Sequence, residues 1–112
     1  MNPKIVNLLA GTWNITRARD NASPVESTTL EIREDPGGAQ LLDGLSPVAG
    51  GGDMIFTGAA NGEYRSWSGL VSTPGSGQVG FMFTVDEEGT HLGGWVTDPA
   101  NGQVTAWAGK RV

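Results

Sequence analysis

The chain has 112 residues, enough for one domain with a single core. Its 12 Asp and Glu outnumber 7 Lys and Arg for a formal net charge of −5, which argues against nucleic acid and anionic membrane surfaces, both of which call for clustered Lys and Arg. Cysteine is absent, so there is no disulfide framework and no thiol nucleophile, and 18 glycines without a collagen-like period fit many tight turns between short strands.

Residues 1–10 are punctuated as a short plug helix. Asn2 can cap it, Pro3 suits its first turn, and Gly11 can take the left-handed position after its last. Ile5, Leu8 and Leu9 share one face at helical spacing, and so short a helix must lean on something apolar, such as the end of a barrel. The apolar run is too short for a signal peptide or a membrane span, so a cytoplasmic location is expected.

From Gly11 onward the helical period disappears and short strands alternate with turn chemistry. Strand one runs about 11–18, with Trp13 and Ile15 inward and Thr12, Asn14 and Thr16 outward. Strand two, about 26–33, sets Leu30 and Ile32 against Thr29, Glu31 and Arg33, and Asp35-Pro36-Gly37-Gly38 then turns the chain. A weak third strand covers about 39–43, followed by a flexible loop from Ser46 to Gly52. Strand four is Met54 to Thr57, and Asn61-Gly62 predicts a type I′ hairpin into strand five, about 63–71. Strand six, about 78–85, aligns Val79, Phe81, Phe83 and Val85 in the most apolar face of the chain. Strands seven (91–97) and eight (103–111) follow turns at Asp86-Glu87-Glu88-Gly89 and Asp98-Pro99-Ala100-Asn101-Gly102.

The fold class is therefore all-β: a small up-and-down antiparallel β-barrel of about eight strands with a short N-terminal helix, in one domain over 1–112. A β-sandwich is the competing arrangement. An internal echo relates Thr57 to Gly62 and Trp67-Ser68-Gly69 to Thr97 to Gly102 and Trp107-Ala108-Gly109. Its offset suits a propeller blade, but strand one has no copy, and two hairpins solving one problem, Trp packed over Gly, explain it better.

Gly11-Thr12-Trp13, after a short apolar segment and ahead of a strand meander, resembles the Gly-x-Trp signature of the calycin superfamily, the lipocalin-like and avidin-like barrels. The resemblance implies that Trp13 closes the barrel floor and that a basic residue near the end of the last strand, Arg111 or Lys110, packs on it. Trp67-Ser68-Gly69 is similar to a stretch of avidin-type sequences in which the Trp lines a ligand pocket. The polar set of a biotin site is not recognisable, so biotin binding is not carried over.

No motif supplies catalytic chemistry. His91, the single histidine, lacks a metal-ligand companion at sensible spacing; a structural role fits it better than zinc or haem ligation. Gly75 to Gly80 spells Gly-x-Gly-x-x-Gly ahead of a strand rather than a helix, so the phosphate-binding reason for that motif is missing. Asp86-Glu87-Glu88 lacks calcium-loop spacing and reads as a solvated turn. No metal and no cofactor are expected, and no catalytic residues are assigned.

The best candidate site is the period-two face Glu63, Arg65, Trp67 of strand five, against which stands a plain cross-strand ion pair beside a half-buried Trp. Tyr64 or Trp95 could join Trp67 at a pocket mouth, offering apolar area with a polar handle. The leading expectation is a non-catalytic binding barrel for a small hydrophobic or amphipathic ligand. The alternatives are a protein-binding barrel, such as a protease inhibitor or accessory protein of a biosynthetic pathway, and a small isomerase or cyclase. An exposed Trp on a barrel wall would also suit a homodimer.

Overall fold

The structure is a computed structural model, and it describes residues 8–18, 25–35, 40–48, 51–98 and 102–112. Eight antiparallel strands follow one another around a closed barrel: β1 (Gly11–Ala18), β2 (Val25–Glu34), β3 (Leu41–Pro47), β4 (Asp53–Ala60), β5 (Ser66–Ser72), β6 (Gln78–Val85), β7 (His91–Thr97) and β8 (Val104–Arg111). β8 returns to β1 with Trp13 opposite Arg111 and Arg17 opposite Trp107, so every strand has a neighbour on both sides. Closure excludes the sandwich.

Alternation sets the interior. In β6, Phe81, Phe83 and Val85 are buried, and in β1 Trp13 and Ile15 are buried while Thr12, Asn14 and Thr16 face solvent. Rings fill the middle of the barrel. Phe56, Trp67, Phe81, Phe83 and Trp107 form a connected cluster, from Trp67 on Phe81 at 4.6 Å between centroids to Phe56 on Trp67 at 6.0 Å. Trp67 packs not over Gly69, two residues on, but over Gly44 of β3, where an added Cβ would lie 2.7 Å from its Cη2. Gly69 serves the neighbouring strand instead: it pairs with Gly58 of β4, and a Cβ on either would overlap the other strand's backbone.

Three expectations need correction. No helix occurs among the described residues. Leu8–Ala10 is bent and non-helical, and the rest of the predicted plug helix lies outside the described residues. Gly11 does not end a helix; it opens β1 at φ 134°, under the guanidinium of Arg111, where a Cβ would collide. Second, β3 runs on through Leu45, Ser46 and Pro47 into what reads as a loop, because Leu42, Gly44 and Ser46 alternate inward although only the first is apolar.

Third, β5 begins at Ser66 rather than at 63. The β4–β5 connection is not the two-residue type I′ hairpin: Tyr64 N–H donates to Asn61 O at 3.0 Å, and Tyr64 takes the left-handed conformation at φ 55°. The Asn61 side chain then accepts from the backbone N–H of Arg65 (2.8 Å) and Ser66 (3.3 Å), which holds residues 61–65 out of the ladder.

Candidate functional site at the mouth of the barrel

The two ends of the lumen are built differently. At the lower end, Trp13 is fully buried and its Nε1–H donates to Leu9 O at 2.9 Å. Arg111 lies across it, 4.3 Å from guanidinium carbon to ring centroid. The same guanidinium donates to Gly89 O (2.6 Å), to Ala10 O (2.7 Å) and to Leu8 O. Arg111 therefore ties the 8–10 segment to the β6–β7 turn and shuts this end.

At the upper end a second arginine stacks on a second tryptophan of the same seam. Arg17 lies 4.7 Å over Trp107, and its Nη1 donates to Met54 Sδ at 3.5 Å. A thioether is a weak acceptor for a guanidinium. Around Met54 the strand register brings two hydroxyls onto the inward face. Ser46 pairs directly with Met54, and Ile55 pairs with Ser72, which sets Thr73 beside Met54 on the other side.

Those hydroxyls carry the chemistry of the mouth. Ser46 is fully buried, and neither its Oγ nor the buried Oγ1 of Thr73 has a hydrogen-bond partner among the described residues. A buried hydroxyl left unpaired costs about 1–3 kcal/mol, so such groups in native proteins are ordinarily satisfied by water or a ligand. The Nε1–H of Trp67 is a third such group, and its ring tip lies over Gly44, the inward residue just below Ser46. Val48 and Val79, partly buried against the core, complete an apolar rim. This end of the barrel thus brings together a cation, two hydroxyls and apolar side chains, a set suited to an amphipathic molecule.

The sequence candidates are not brought together. Trp67 is a fully buried member of the ring cluster, whereas Glu63, Tyr64 and Arg65 occupy the lower β4–β5 connection. There Arg65 reaches Glu87 at 3.7 Å and Val85 O at 3.5 Å, while Glu63 is exposed and Tyr64 packs partly against the core. Trp95 is on the outer wall, 37 % exposed. The strand-five face dissolves because β5 starts three residues later than its alternation suggests. Arg17 occupies the next inward position after Trp13 and Ile15, where the alternation runs onto a charged residue and gives no apolar signal.

Asp86 and His91 form a turn rather than a metal site. The Asp86 carboxylate accepts from Thr90 N–H (2.7 Å), Thr90 Oγ1–H (2.8 Å) and His91 N–H (3.1 Å), with His91 Nδ1 3.1 Å from Oδ2. Partial burial pushes this carboxyl up, but the hydrogen bonds from His91 and Thr90 outweigh it and hold the group well below the usual carboxylate range. Among the described residues no three His, Asp or Glu side chains converge to hold a metal.

No protein-family model matches the chain, and no curated protein matches it. Among solved structures it is similar to a redesigned β-barrel, with a TM-score of 0.71 at 16 % identity over 94 % of this chain and 92 % of that one. At that identity the likeness establishes the fold: a closed antiparallel barrel of eight strands.

Proposed function

We propose that this protein is a non-catalytic binding barrel that takes a small amphipathic molecule at its upper mouth, with the apolar part over Met54, Val79 and Trp107 and an anionic or acceptor end toward Arg17. The observation that carries the reading is the fully buried Ser46 Oγ, which has no hydrogen-bond partner among the described residues and sits beside Met54. A ligand oxygen there would satisfy Ser46, and an anionic group beside Arg17 would accept a charge-assisted hydrogen bond from its guanidinium. The ring cluster fills the middle of the barrel, so the ligand is confined to this end.

The calycin resemblance supports the same reading, since lipocalin-like and avidin-like barrels hold ligands at one open end. Gly11-Thr12-Trp13, with Arg111 stacked on Trp13, is the pattern behind that resemblance. Calorimetric titration with medium-chain carboxylic acids and the matching alcohols tests it. The acids are expected to saturate one site and to bind about 10-fold or more tighter than the alcohols, an advantage that Arg17→Gln abolishes. Absence of saturable binding by either series would overturn the proposal.

A further inference from the structure

Met54 sits among hydrogen-bond donors that a thioether barely uses. It is only 7 % exposed, near the start of β4 and next to the exposed Asp53. Ser46 pairs with it on the β3 side, and Thr73, one residue beyond the Ile55–Ser72 pair, lies beside it on the β5 side. Arg17 crosses from β1, and its Nη1 donates to Met54 Sδ at 3.5 Å. The buried Ser46 Oγ and Thr73 Oγ1 have no hydrogen-bond partner among the described residues, the Met54 sulfur included.

An oxygen on that sulfur would change the match. In an ordinary core a methionine sulfoxide is a lesion, because the new polar group is buried without donors. Around Met54 the donors are already in place, and two of them are unpaired. Adjacent strands lie about 4.8 Å apart, so an oxygen projecting from Sδ stays within reach of a hydroxyl on either side. Met82 provides the contrast: it is half-buried on the outer face of β6, opposite Ser68 and Trp95 rather than two buried hydroxyls.

We propose that Met54 is a modification site, oxidised by a hydroperoxide to a sulfoxide whose oxygen is held by Ser46, Thr73 and Arg17. The sulfur lone pair attacks one peroxide oxygen; the S–O bond forms, the O–O bond breaks and hydroxide leaves. Sulfur loses two electrons and the peroxide gains them. The hydroxide then takes the proton of the new S–O–H group and departs as water. Donors beside the sulfur stabilise that leaving oxygen as its charge develops. The consequence for binding, which rests on ligand binding at this end as proposed above, is that the sulfoxide oxygen occupies the donors a ligand's polar end would use. Oxidation then closes the site.

Hydrogen peroxide treatment of the intact chain, followed by tryptic mass mapping and thermal unfolding, tests this. Cleavage after Arg33 and Arg65 separates Met54 from Met1 and Met82. Oxidation through the unfolded chain alone would run about 1000-fold or more behind an accessible methionine, whereas Met54 is expected to react within about 100-fold of Met82. The oxidised Met82→Leu chain should keep its thermal midpoint to within about 2 °C. Adding Ser46→Ala or Thr73→Val should make the same oxidation lower it by about 4 °C or more, the shift expected from one lost buried hydrogen bond. Affinity for a medium-chain carboxylic acid should fall about 10-fold or more on oxidation, a response that Met54→Leu removes. A Met54 that reacts only at the unfolding-limited rate would overturn the proposal. So would a midpoint that drops on oxidation with Ser46 and Thr73 intact, or an acid affinity that oxidation leaves unchanged. A reduced chain that binds no acid would rule out ligand binding at this end, while the mass and midpoint results still decide the sulfoxide site.

Discussion

Arg17 stacks on Trp107 just as Arg111 stacks on Trp13, and both pairs face each other across the single β1–β8 seam that closes the barrel. The pairs run in opposite order, so each end of the lumen receives one guanidinium over one indole. What differs is the rest of each arginine's surroundings. Backbone carbonyls of Leu8, Ala10 and Gly89 fix Arg111, while Arg17 reaches the sulfur of Met54. The Arg111 end is the floor, and the Arg17 end carries the two hydroxyls that have no partner among the described residues.

The floor makes a stability prediction. Trp13→Ala should cost about 3–5 kcal/mol, as loss of a fully buried Trp does, and Arg111→Gln about 2–3 kcal/mol through the stack and the carbonyl bonds. Urea denaturation of both single variants and the double variant measures this. The double variant should lose less than the sum of the two, because each single change already removes the stack.

The mouth predicts the opposite sign. Ser46→Ala removes a buried hydroxyl that has no partner among the described residues, and is expected to raise stability by about 1 kcal/mol while weakening binding of the amphipathic acids. Thermal unfolding and calorimetry on the same preparation check the two halves. A destabilised variant would place Ser46 in an ordinary structural role.

Two carboxylates set opposite pH responses. Asp86 is held below the usual range by hydrogen bonds from His91 and Thr90 despite the upward push of partial burial, so it adds stability above the unfolded carboxylate pKa of about 3.9, lost as pH falls toward its folded value. Asp86→Asn should therefore flatten the acid limb of thermal midpoint against pH between about pH 2 and 5. Asp43 is raised, first by desolvation and then by the charge and hydrogen bond of Asp35, so its ionised form opposes folding. Asp43→Asn is expected to raise the thermal midpoint at neutral pH and to lose that advantage in acid.

Packing of the ring cluster rests on the absence of a side chain at Gly44. Gly44→Ala would set a methyl 2.7 Å from Trp67 Cη2 and 3.1 Å from Phe56 Cβ, and should cost about 1–3 kcal/mol by overpacking. Chemical denaturation with near-ultraviolet circular dichroism as the probe reports both the loss and the displaced indole.

Strand alternation makes most of this barrel legible in the sequence. The bounds of β1, β6 and β7 follow directly from it, because their inward residues are large and apolar: Trp13 and Ile15, Phe81 and Phe83, Leu92 and Val96. β3 ran past its predicted end since its later inward residues, Gly44 and Ser46, carry no apolar signal. β5 started late because the Asn61 side chain takes the N–H groups that would have begun the ladder. The mouth stayed hidden for a related reason. Arg17 is recognisable there only by extending the inward period of Trp13 and Ile15 onto a charged residue, and Ser46 by knowing that β3 reaches it.

Amide chemical-shift mapping with a medium-chain carboxylic acid tests most directly whether ligand enters the barrel at the Arg17 end. Saturable shifts at Arg17, Ser46, Met54 and Thr73, with Gly89 and Arg111 at the floor unmoved, are the predicted result. No saturable shifts with the acid or its alcohol, or shifts confined to the outer wall around Trp95, would contradict it.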